Sequence, residues 1–247
     1  GLPGGPPVVQ AMQGLLVFLK PCGWEVDDAV EVSVGRSLSV YLEALLPPRR
    51  WPIVRDVYHQ CGFLHRLDVP SSGLILSAKT YEAFYSLQRQ LNAGLLARDY
   101  AILCHGWVPP ARHEISARVS HDGLRSWVPS AVNVRGYGRT SCSLLKVMSH
   151  ALHKADAVSL VAVRIVTGRR HQIRAQTSHI GCPTVCDGKY TAAATLFSDM
   201  ASLCRRNFLH RYRLAFFENE GGQCEATERL PRDLANALGH LTPRGGP

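Results

Sequence analysis

The chain has 247 residues, of which 46% are hydrophobic, enough to bury the core of one large or two closely joined domains. Lys and Arg outnumber Asp and Glu by 28 to 19, which favours polyanionic partners such as nucleic acid or acidic membrane surfaces. No stretch approaches the roughly 18 consecutive apolar residues of a membrane span, and the N-terminal GLPGGPP lacks the order of a secretory signal. We therefore expect a soluble intracellular protein without a membrane partner, whether in cytoplasm, nucleus or organelle.

Strand and helix patterns mix along the chain without strict alternation. Short apolar runs bounded by Gly, Pro, Ser or charge predict strands at residues 15–19, 74–78, 101–104, 143–148, 158–166 and 212–217. Helical spacing predicts a helix over 80–92, capped by Thr80 and ended by Gly94, another over about 170–180, stopped by Gly181, and a third that opens at Pro231. This mixture favours an α+β fold with a largely antiparallel sheet over a doubly wound one.

Two segments are predicted to be loops, at residues 109–113 and at 134–140, which reads VRGYGRT. Basic loops commonly hold RNA phosphates, and an ordinary hairpin connection is the alternative for either loop.

Cofactor and metal signals are absent from the sequence. The eight cysteines contain no CxxC pair, so we interpret them as reduced thiols, mostly buried. Cys182 and Cys186 lie near His171 and His179, but this spacing matches no common zinc pattern. Neither GxGxxG nor a Walker motif is present, so we expect no metal and no nucleotide cofactor.

The segment HRLDVPSSGLILSAKT contains the first candidate catalytic group, Asp68. This carboxylate follows an apolar residue and precedes a Pro/Ser/Gly cluster, which predicts a turn that feeds a buried strand. A carboxylate on such a turn is fixed but still accessible. The alternative is an Asp side chain that only caps its own turn.

The segment GRRHQIRAQTSHIGCPTVCDGKY contains the second candidate, Arg174. At about 100° per residue, His171, Arg174 and Ser178 fall on one helix face. An arginine on this face, if it met Asp68, would keep that carboxylate ionised. A solvated basic helix face is the alternative.

The segment ARDYAILCHGWV places Tyr100 at the start of an apolar strand. Its ring is suited to stack on a flipped-out base, an interaction worth roughly 1 to 3 kcal/mol per base. Core packing is the alternative interpretation of a strand tyrosine.

Together and in this order, these segments resemble the RluA-type pseudouridine synthases. LLVFLKPCGWEVD is similar to that family's Lys-Pro-x-Gly block, HRLD and GRRHQIR to its two most specific blocks, and RDYAIL, RNFLHRYRLAF and LPRDL to the others. The resemblance spans about Leu15 to Leu238. It implies a bent, largely antiparallel mixed sheet flanked by helices and loops, with a catalytic domain over 15–247 after a flexible N-terminal extension, 1–14.

The resemblance also implies roles for single residues. Asp68 becomes the nucleophile or base, Tyr100 the ring against the target uracil, and Arg174 the partner of the carboxylate. RNA contacts are expected from Arg66, which enters where the uridine is extruded, and from His65, Arg169, Arg170 and His171. The implied reaction turns uridine into pseudouridine in structured RNA (rRNA, tRNA or mRNA), without metal or organic cofactor. The sequence does not determine the oligomeric state, and we expect a monomer.

The chain departs from the family pattern at a few positions. Arg98 replaces the usual lysine before the tyrosine block, Val69 and Pro70 follow the aspartate where polar residues are common, and Arg211 stands where a small residue is frequent. None of these departures removes a catalytic group, but they affect the expected RNA contacts. One alternative function is an RNA-binding factor that keeps the scaffold with little catalysis. Another is a metal-dependent hydrolase that uses His171, His179 and the cysteines.

Overall fold

A computed structural model describes residues 4–26, 36–121, 128–133, 136–218 and 222–244. The chain divides into two compact units, unit 1 with residues 1–98 and 211–228, and unit 2 with residues 99–210 and 229–247. Strands and helices are mixed in an α+β arrangement, as predicted. Within the described ranges, none of the helices has the length and apolar character needed to cross a membrane.

The strands are β1 (Val8–Ala11), β2 (Leu15–Lys20), β3 (Trp24–Glu25), β4 (Arg36–Ser37), β5 (Ser72–Ala78), β6 (Ala97–His105), β7 (Glu114–Ser120), β8 (Ala131–Asn133), β9 (Arg139–His153), β10 (Asp156–Ile165), β11 (Leu209–Phe217), β12 (Gln223–Thr227) and β13 (Thr242–Pro243). The helices are α1 (Leu38–Leu45), α2 (Tyr81–Asn92), α3 (Gln172–His179), α4 (Ala193–Ser202) and α5 (Arg232–Gly239), and two 3-10 segments cover Pro52–Arg55 and Val57–Gly62.

Unit 1 is built on a sheet in the order β1, β2, β5, β11, with β12 paired to β11. The pairs β1/β2, β2/β5 and β11/β12 are antiparallel, and β3 and β4 form a separate parallel pair. All seven residues of β5 are buried. A strand that is covered on both faces needs an apolar side chain at nearly every position, which explains the run GLILSA.

The core of unit 1 joins the sheet to helices α1 and α2. Phe18 of β2, Leu76 of β5 and Phe216 of β11 are buried in it together with Leu42 of α1 and Leu87 of α2. The N-terminus of α2 is capped by Thr80, whose hydroxyl accepts a hydrogen bond from the backbone N–H of Ala83 at 3.2 Å.

In unit 2 the strands pair antiparallel in the order β6, β10, β9, β7, β8, with β13 paired to β9. The hydrophobic core of this unit is built around Leu103 of β6, Val158 of β10, Phe208, and Leu234 and Ala237 of α5. Helix α3 follows β10 along the chain and carries the GRRHQIR segment.

The predicted elements agree with the structure where local patterns are strong. All six predicted strands fall within β2, β5, β6, β9, β10 and β11, apart from Val166 at the end of β10, and the three predicted helices correspond to α2, α3 and α5. Residues 109–113 form a loop, but Arg139 and Thr140 of the second predicted loop already belong to β9, and Val134 and Arg135 lie outside the described residues. Val8–Ala11, within the predicted N-terminal extension, forms β1 on the edge of the unit 1 sheet.

Candidate active site

The turn that carries Asp68 lies in unit 1 and leads directly into β5. The Ser71 N–H donates to the Asp68 carbonyl at 3.0 Å, which closes the turn across Val69 and Pro70. Asp68 is half-buried and the neighbouring Arg66 is exposed. The prediction of a turn that feeds a buried strand is confirmed.

A buried lysine holds the C-terminal side of this turn. Lys20, at the end of β2, is fully buried, and its ammonium donates to the carbonyls of Ser71 at 2.8 Å and Pro21 at 3.1 Å, with that of Val69 at 3.5 Å. The Val69 carbonyl also accepts the Gly23 N–H at 2.8 Å. Since an ammonium has three donors, these carbonyls replace most of the hydration that burial removes.

A buried arginine holds the N-terminal side. The guanidinium of Arg211 donates through Nη1 to His65 Nδ1 at 2.7 Å and to the Leu74 carbonyl at 3.0 Å. Its Nη2 donates to the Arg66 carbonyl at 3.3 Å. Arg211 is only 1% exposed, so its side chain is a structural part of unit 1.

His65 is an acceptor in this arrangement. Because an arginine cannot accept a hydrogen bond, the His65 Nδ1 that faces Arg211 must carry a lone pair. Burial of the ring lowers the pKa of His65 well below its ordinary value, and the charges of Arg211 and Arg98 lower it further. The imidazole of the HRLD segment is therefore neutral at physiological pH.

In unit 2, glutamine side chains hold helix α3 against the sheet. Gln172 Nε2 donates to the Cys142 carbonyl at 3.0 Å and to Ser143 Oγ at 2.9 Å. One turn later, Gln176 Nε2 donates to the Ile115 carbonyl at 3.1 Å and to Ser141 Oγ at 2.9 Å. His171 precedes the helix with a φ of 53°. The helix therefore presents Arg174 from a rigid base.

Arg174 forms a buried two-bond ion pair with Asp187. Arg174 Nε and Nη2 each lie 2.7 Å from a different oxygen of the Asp187 carboxylate. Arg174 is 3% exposed and Asp187 is fully buried. The alternative interpretation of this segment as a solvated basic helix face is therefore wrong.

Further donors surround Asp187. Its Oδ2 accepts from Thr184 Oγ1 at 3.0 Å, and its Oδ1 accepts from the Lys189 N–H at 3.0 Å. A carboxylate with this many donors is held in one orientation. Asp187 lies inside the GCPTVCDGKY segment, but its role was not predicted from the sequence.

Tyr190 packs on the Arg174 guanidinium. The Arg174 Cζ lies 5.3 Å from the centre of the Tyr190 ring. The Tyr190 hydroxyl accepts the Ser130 N–H at 2.8 Å, and His171 Nδ1 lies 3.2 Å from the same oxygen. Burial raises the pKa of Tyr190 to about 12, so the phenol stays neutral.

Tyr100 lies on β6, opposite Val163 of β10, and is 3% exposed. Its neighbour Asp99 accepts from Arg164 Nε at 2.6 Å and from Nη2 at 2.7 Å. In this ion pair the carboxylate is buried while half of the Arg164 side chain is exposed.

A basic groove runs beside the start of α3. It has a volume of about 480 Å³ and is lined by Val119, Ser120, His121, Gly138, Arg139, Gly168, Arg169 and Arg170. Arg170 Nη1 lies 2.6 Å from His121 Nε2, and Arg169 Nε donates to the Thr140 carbonyl at 3.0 Å. Two predicted RNA-binding arginines therefore line one groove, whereas His171 is buried.

Unit 1 contains Asp68, Arg66 and His65, whereas unit 2 contains Tyr100, Arg174 and the arginines of the groove. The meeting of Asp68 with Tyr100 and Arg174 therefore stays a prediction. All eight cysteines are free thiols, of which Cys104, Cys182, Cys186 and Cys204 are buried. In the described part of the chain, no group of three or more His, Cys, Asp or Glu is arranged to hold a metal ion.

Comparisons with known proteins give consistent matches. A family model described as RNA pseudouridylate synthase matches residues 14–179. The chain is 31% identical over 240 residues to ribosomal large subunit pseudouridine synthase D of Neisseria meningitidis, which covers 94% of this chain and 60% of the relative. It is 30% identical over 226 residues to synthase C of Yersinia pestis, covering 92% of this chain and 65% of the relative. The chain thus spans less than two thirds of the length of these curated relatives.

Two solved structures are similar in fold. Human RNA pseudouridylate synthase domain containing 1 matches with a TM-score of 0.73 and 22% identity, over 99% of this chain and 91% of that chain. Human RNA pseudouridylate synthase domain containing 4 matches with a TM-score of 0.66 and 17% identity, over 95% and 93%. The α+β fold class predicted from the motifs is confirmed.

Proposed function

The chain belongs to the RNA pseudouridylate synthase family, as its motifs indicated, and we propose that it isomerises uridine to pseudouridine in RNA. The observation that carries this proposal is that the matched segment, residues 14–179, contains Asp68, Tyr100 and Arg174. In this reaction the bond between uracil N1 and the ribose breaks, the base turns, and C5 bonds to the anomeric carbon while its proton moves to the released nitrogen. The chemistry needs no redox partner.

Asp68 is the proposed nucleophile or base. A turn closed by the Ser71 N–H and held by Lys20 and Arg211 fixes the backbone of this carboxylate. Preorganisation of this kind lowers the reorganisation that the reaction itself requires. Tyr100 is proposed to lie against the extruded uracil, since extraction of the base from its stack must precede the chemistry.

Arg174 is the proposed partner of the Asp68 carboxylate. Its Nε and Nη2 donate to Asp187, and this ion pair holds the guanidinium in one orientation, which supports its role as a fixed positive charge for a second carboxylate. An arginine fixed by one carboxylate loses little conformational freedom when it pairs with a second. It would then favour the ionised form of Asp68.

The proposed substrate is structured RNA, and the relatives' names make large-subunit ribosomal RNA the first to test. Arg169 and Arg170 line a basic groove with the size and charge for backbone phosphates, and Arg66 is exposed beside Asp68. His171 is buried, so we propose a supporting role for it behind the groove.

The decisive variant is Asp68→Asn, which keeps the size of the side chain and removes its charge. We expect pseudouridine formation to fall on the order of 10⁴-fold, while the circular dichroism spectrum and RNA affinity remain those of wild type. The assay maps pseudouridine in unmodified ribosomal, transfer and messenger transcripts incubated with the purified chain. Asp156→Asn, an exposed carboxylate on β10, is the matched control and should retain wild-type turnover. Wild-type turnover in Asp68→Asn would end the proposal.

A second test addresses the RNA groove. Removal of one phosphate-binding cation should reduce the slope of log affinity against log salt by about 1, so Arg170→Gln should bind RNA more weakly and with a shallower salt dependence. Filter binding or fluorescence anisotropy over a series of salt concentrations measures both. Arg213→Gln, a change of the same type outside the groove, should keep the wild-type slope. Equal slopes for wild type and Arg170→Gln would exclude a phosphate contact at this arginine.

A further inference from the structure

Arg211 is an unusual residue to find inside unit 1. Although its side chain is long and charged, the residue is only 1% exposed. Removal of a cation from water is costly unless its donors find good acceptors. A chain that retains a buried arginine here is expected to gain something specific from its contacts.

The acceptors of Arg211 are concentrated on the segment that carries Asp68. The guanidinium donates to His65 Nδ1 at 2.7 Å, to the Arg66 carbonyl at 3.3 Å and to the Leu74 carbonyl at 3.0 Å. These acceptors flank Asp68 on both sides in sequence. The Arg211 guanidinium therefore connects the residues before the turn with β5, the strand that follows it.

The backbone of Arg211 also approaches this segment closely. A Cβ atom added at Gly73 would lie 2.3 Å from the Arg211 carbonyl oxygen, and Gly73 has a φ of 129°. Only glycine allows two backbones to approach in this way. The main chain of β11 and the Arg211 side chain thus hold the start of β5 together.

Arg211 and Lys20 act on opposite ends of the turn. Arg211 holds the residues before Asp68, and Lys20 holds the carbonyls of Val69 and Ser71 after it. A catalytic group displaced by about 1 Å can cost on the order of 100-fold in rate. The position of the Asp68 backbone therefore depends on both buried cations.

We infer that Arg211 is a positioning residue for Asp68, which holds the HRLD turn in its productive geometry through His65 and two backbone carbonyls. The inference rests on the proposed function only for its catalytic readout, since the contacts themselves are independent of the reaction. Lys at this position keeps the charge but cannot reproduce a planar fork with several donors.

The catalytic test compares Arg211→Ala and Arg211→Lys with wild type in single-turnover and steady-state assays. We expect kcat to fall about 100-fold in Arg211→Ala and about 10-fold in Arg211→Lys, with KM within about twofold of wild type. Guanidinium added at low concentration should restore part of the kcat of Arg211→Ala, which a purely destabilised variant would not show. Arg213→Ala, two residues along β11, is the matched control and should keep wild-type kcat and KM.

A second measurement does not depend on activity. Amide hydrogen exchange of the peptide that covers residues 65–72 should become faster in Arg211→Ala, while exchange in β9 and β10 is unchanged. Wild-type exchange in this peptide, or a kcat equal to that of wild type, would overturn the inference. A wild-type chain without activity on any RNA would count against the proposed function, and the exchange experiment would still decide the role of Arg211.

Discussion

The two units each bury an arginine next to a segment of the proposed site, but the two guanidinium groups meet different acceptors. In unit 2, Arg174 donates to the Asp187 carboxylate through two bonds of 2.7 Å. In unit 1, Arg211 donates to a neutral imidazole and to backbone carbonyls. The first contact is a buried ion pair, and the second is a cation shared among neutral groups.

The difference determines what each arginine can contribute. A buried ion pair is costly to break, because loss of one partner leaves the other charge without compensation in a medium of low dielectric constant. Neutral acceptors are individually weaker, but those on the backbone, the Arg66 and Leu74 carbonyls, can fix the path of the chain. We therefore expect Arg174 to contribute more to the free energy of unfolding, and Arg211 to contribute more to the local position of the backbone.

The largest expected effect comes from Asp187→Ala. This change leaves the Arg174 guanidinium buried without its carboxylate, so we expect the free energy of unfolding to fall by about 3–5 kcal/mol. Chemical denaturation followed by circular dichroism measures the loss. The double variant Asp187→Ala/Arg174→Ala should lose less than the sum of the two single variants, because the orphaned charge is then removed as well.

Asp99→Ala is the control for this experiment. Asp99 and Arg164 form the same two-bond geometry in the same unit, but half of the Arg164 side chain is exposed, so water can solvate it when its partner is removed. We expect this variant to be destabilised by about 1–3 kcal/mol, less than Asp187→Ala. If Asp187→Ala cost no more than Asp99→Ala, burial would not be the reason for the strength of the Arg174 contact.

The sequence predicted those parts of the site that are encoded locally. The turn at Asp68 followed from the Pro/Ser/Gly cluster, and the cap of α2 from Thr80, because neighbouring residues decide both structures. Helix α4 was not predicted, although Leu196, Phe197 and Met200 repeat at helical spacing. Its N-cap residue, Ala192, has no side chain that can cap the helix, so no start signal marks it.

The charged residues that hold the site were not predicted because their partners are distant in sequence. Arg211 and His65 are separated by 146 positions, and Lys20 and Ser71 by 51. Nothing in the local sequence of β11 or β2 distinguishes a buried cation from a solvated one. The departure at Arg211 was visible in the sequence, but its meaning depended on the contacts with His65, Arg66 and Leu74.

The smallest expected effect is a pH dependence of stability at the Arg211 site, which comes from its histidine acceptor, His65. The pKa of His65 is lowered by burial and by the nearby charges of Arg211 and Arg98, whereas in the unfolded chain it is about 6.5. Below about pH 6.5 the histidine of the unfolded chain binds a proton, whereas His65 in the folded chain stays neutral. The free energy of unfolding therefore decreases as the pH falls from about 6.5 toward the pKa of the folded chain. One histidine contributes at most about 1.4 kcal/mol per pH unit, and this contribution to stability is complete above about pH 6.5.

His65→Asn isolates this contribution, because the asparagine oxygen can accept from Arg211 but does not titrate. His210 and His153, whose pKa values burial also lowers, act in the same window and remain in both proteins. Urea denaturation from pH 7.5 to 4.5 should therefore show that wild type loses more stability than His65→Asn as the pH falls. Above about pH 6.5 the difference in stability between the two proteins should be constant. Parallel curves over the whole range would mean that the folded chain does not resist protonation of His65, and this result would contradict a lone pair on His65 Nδ1 that accepts from Arg211.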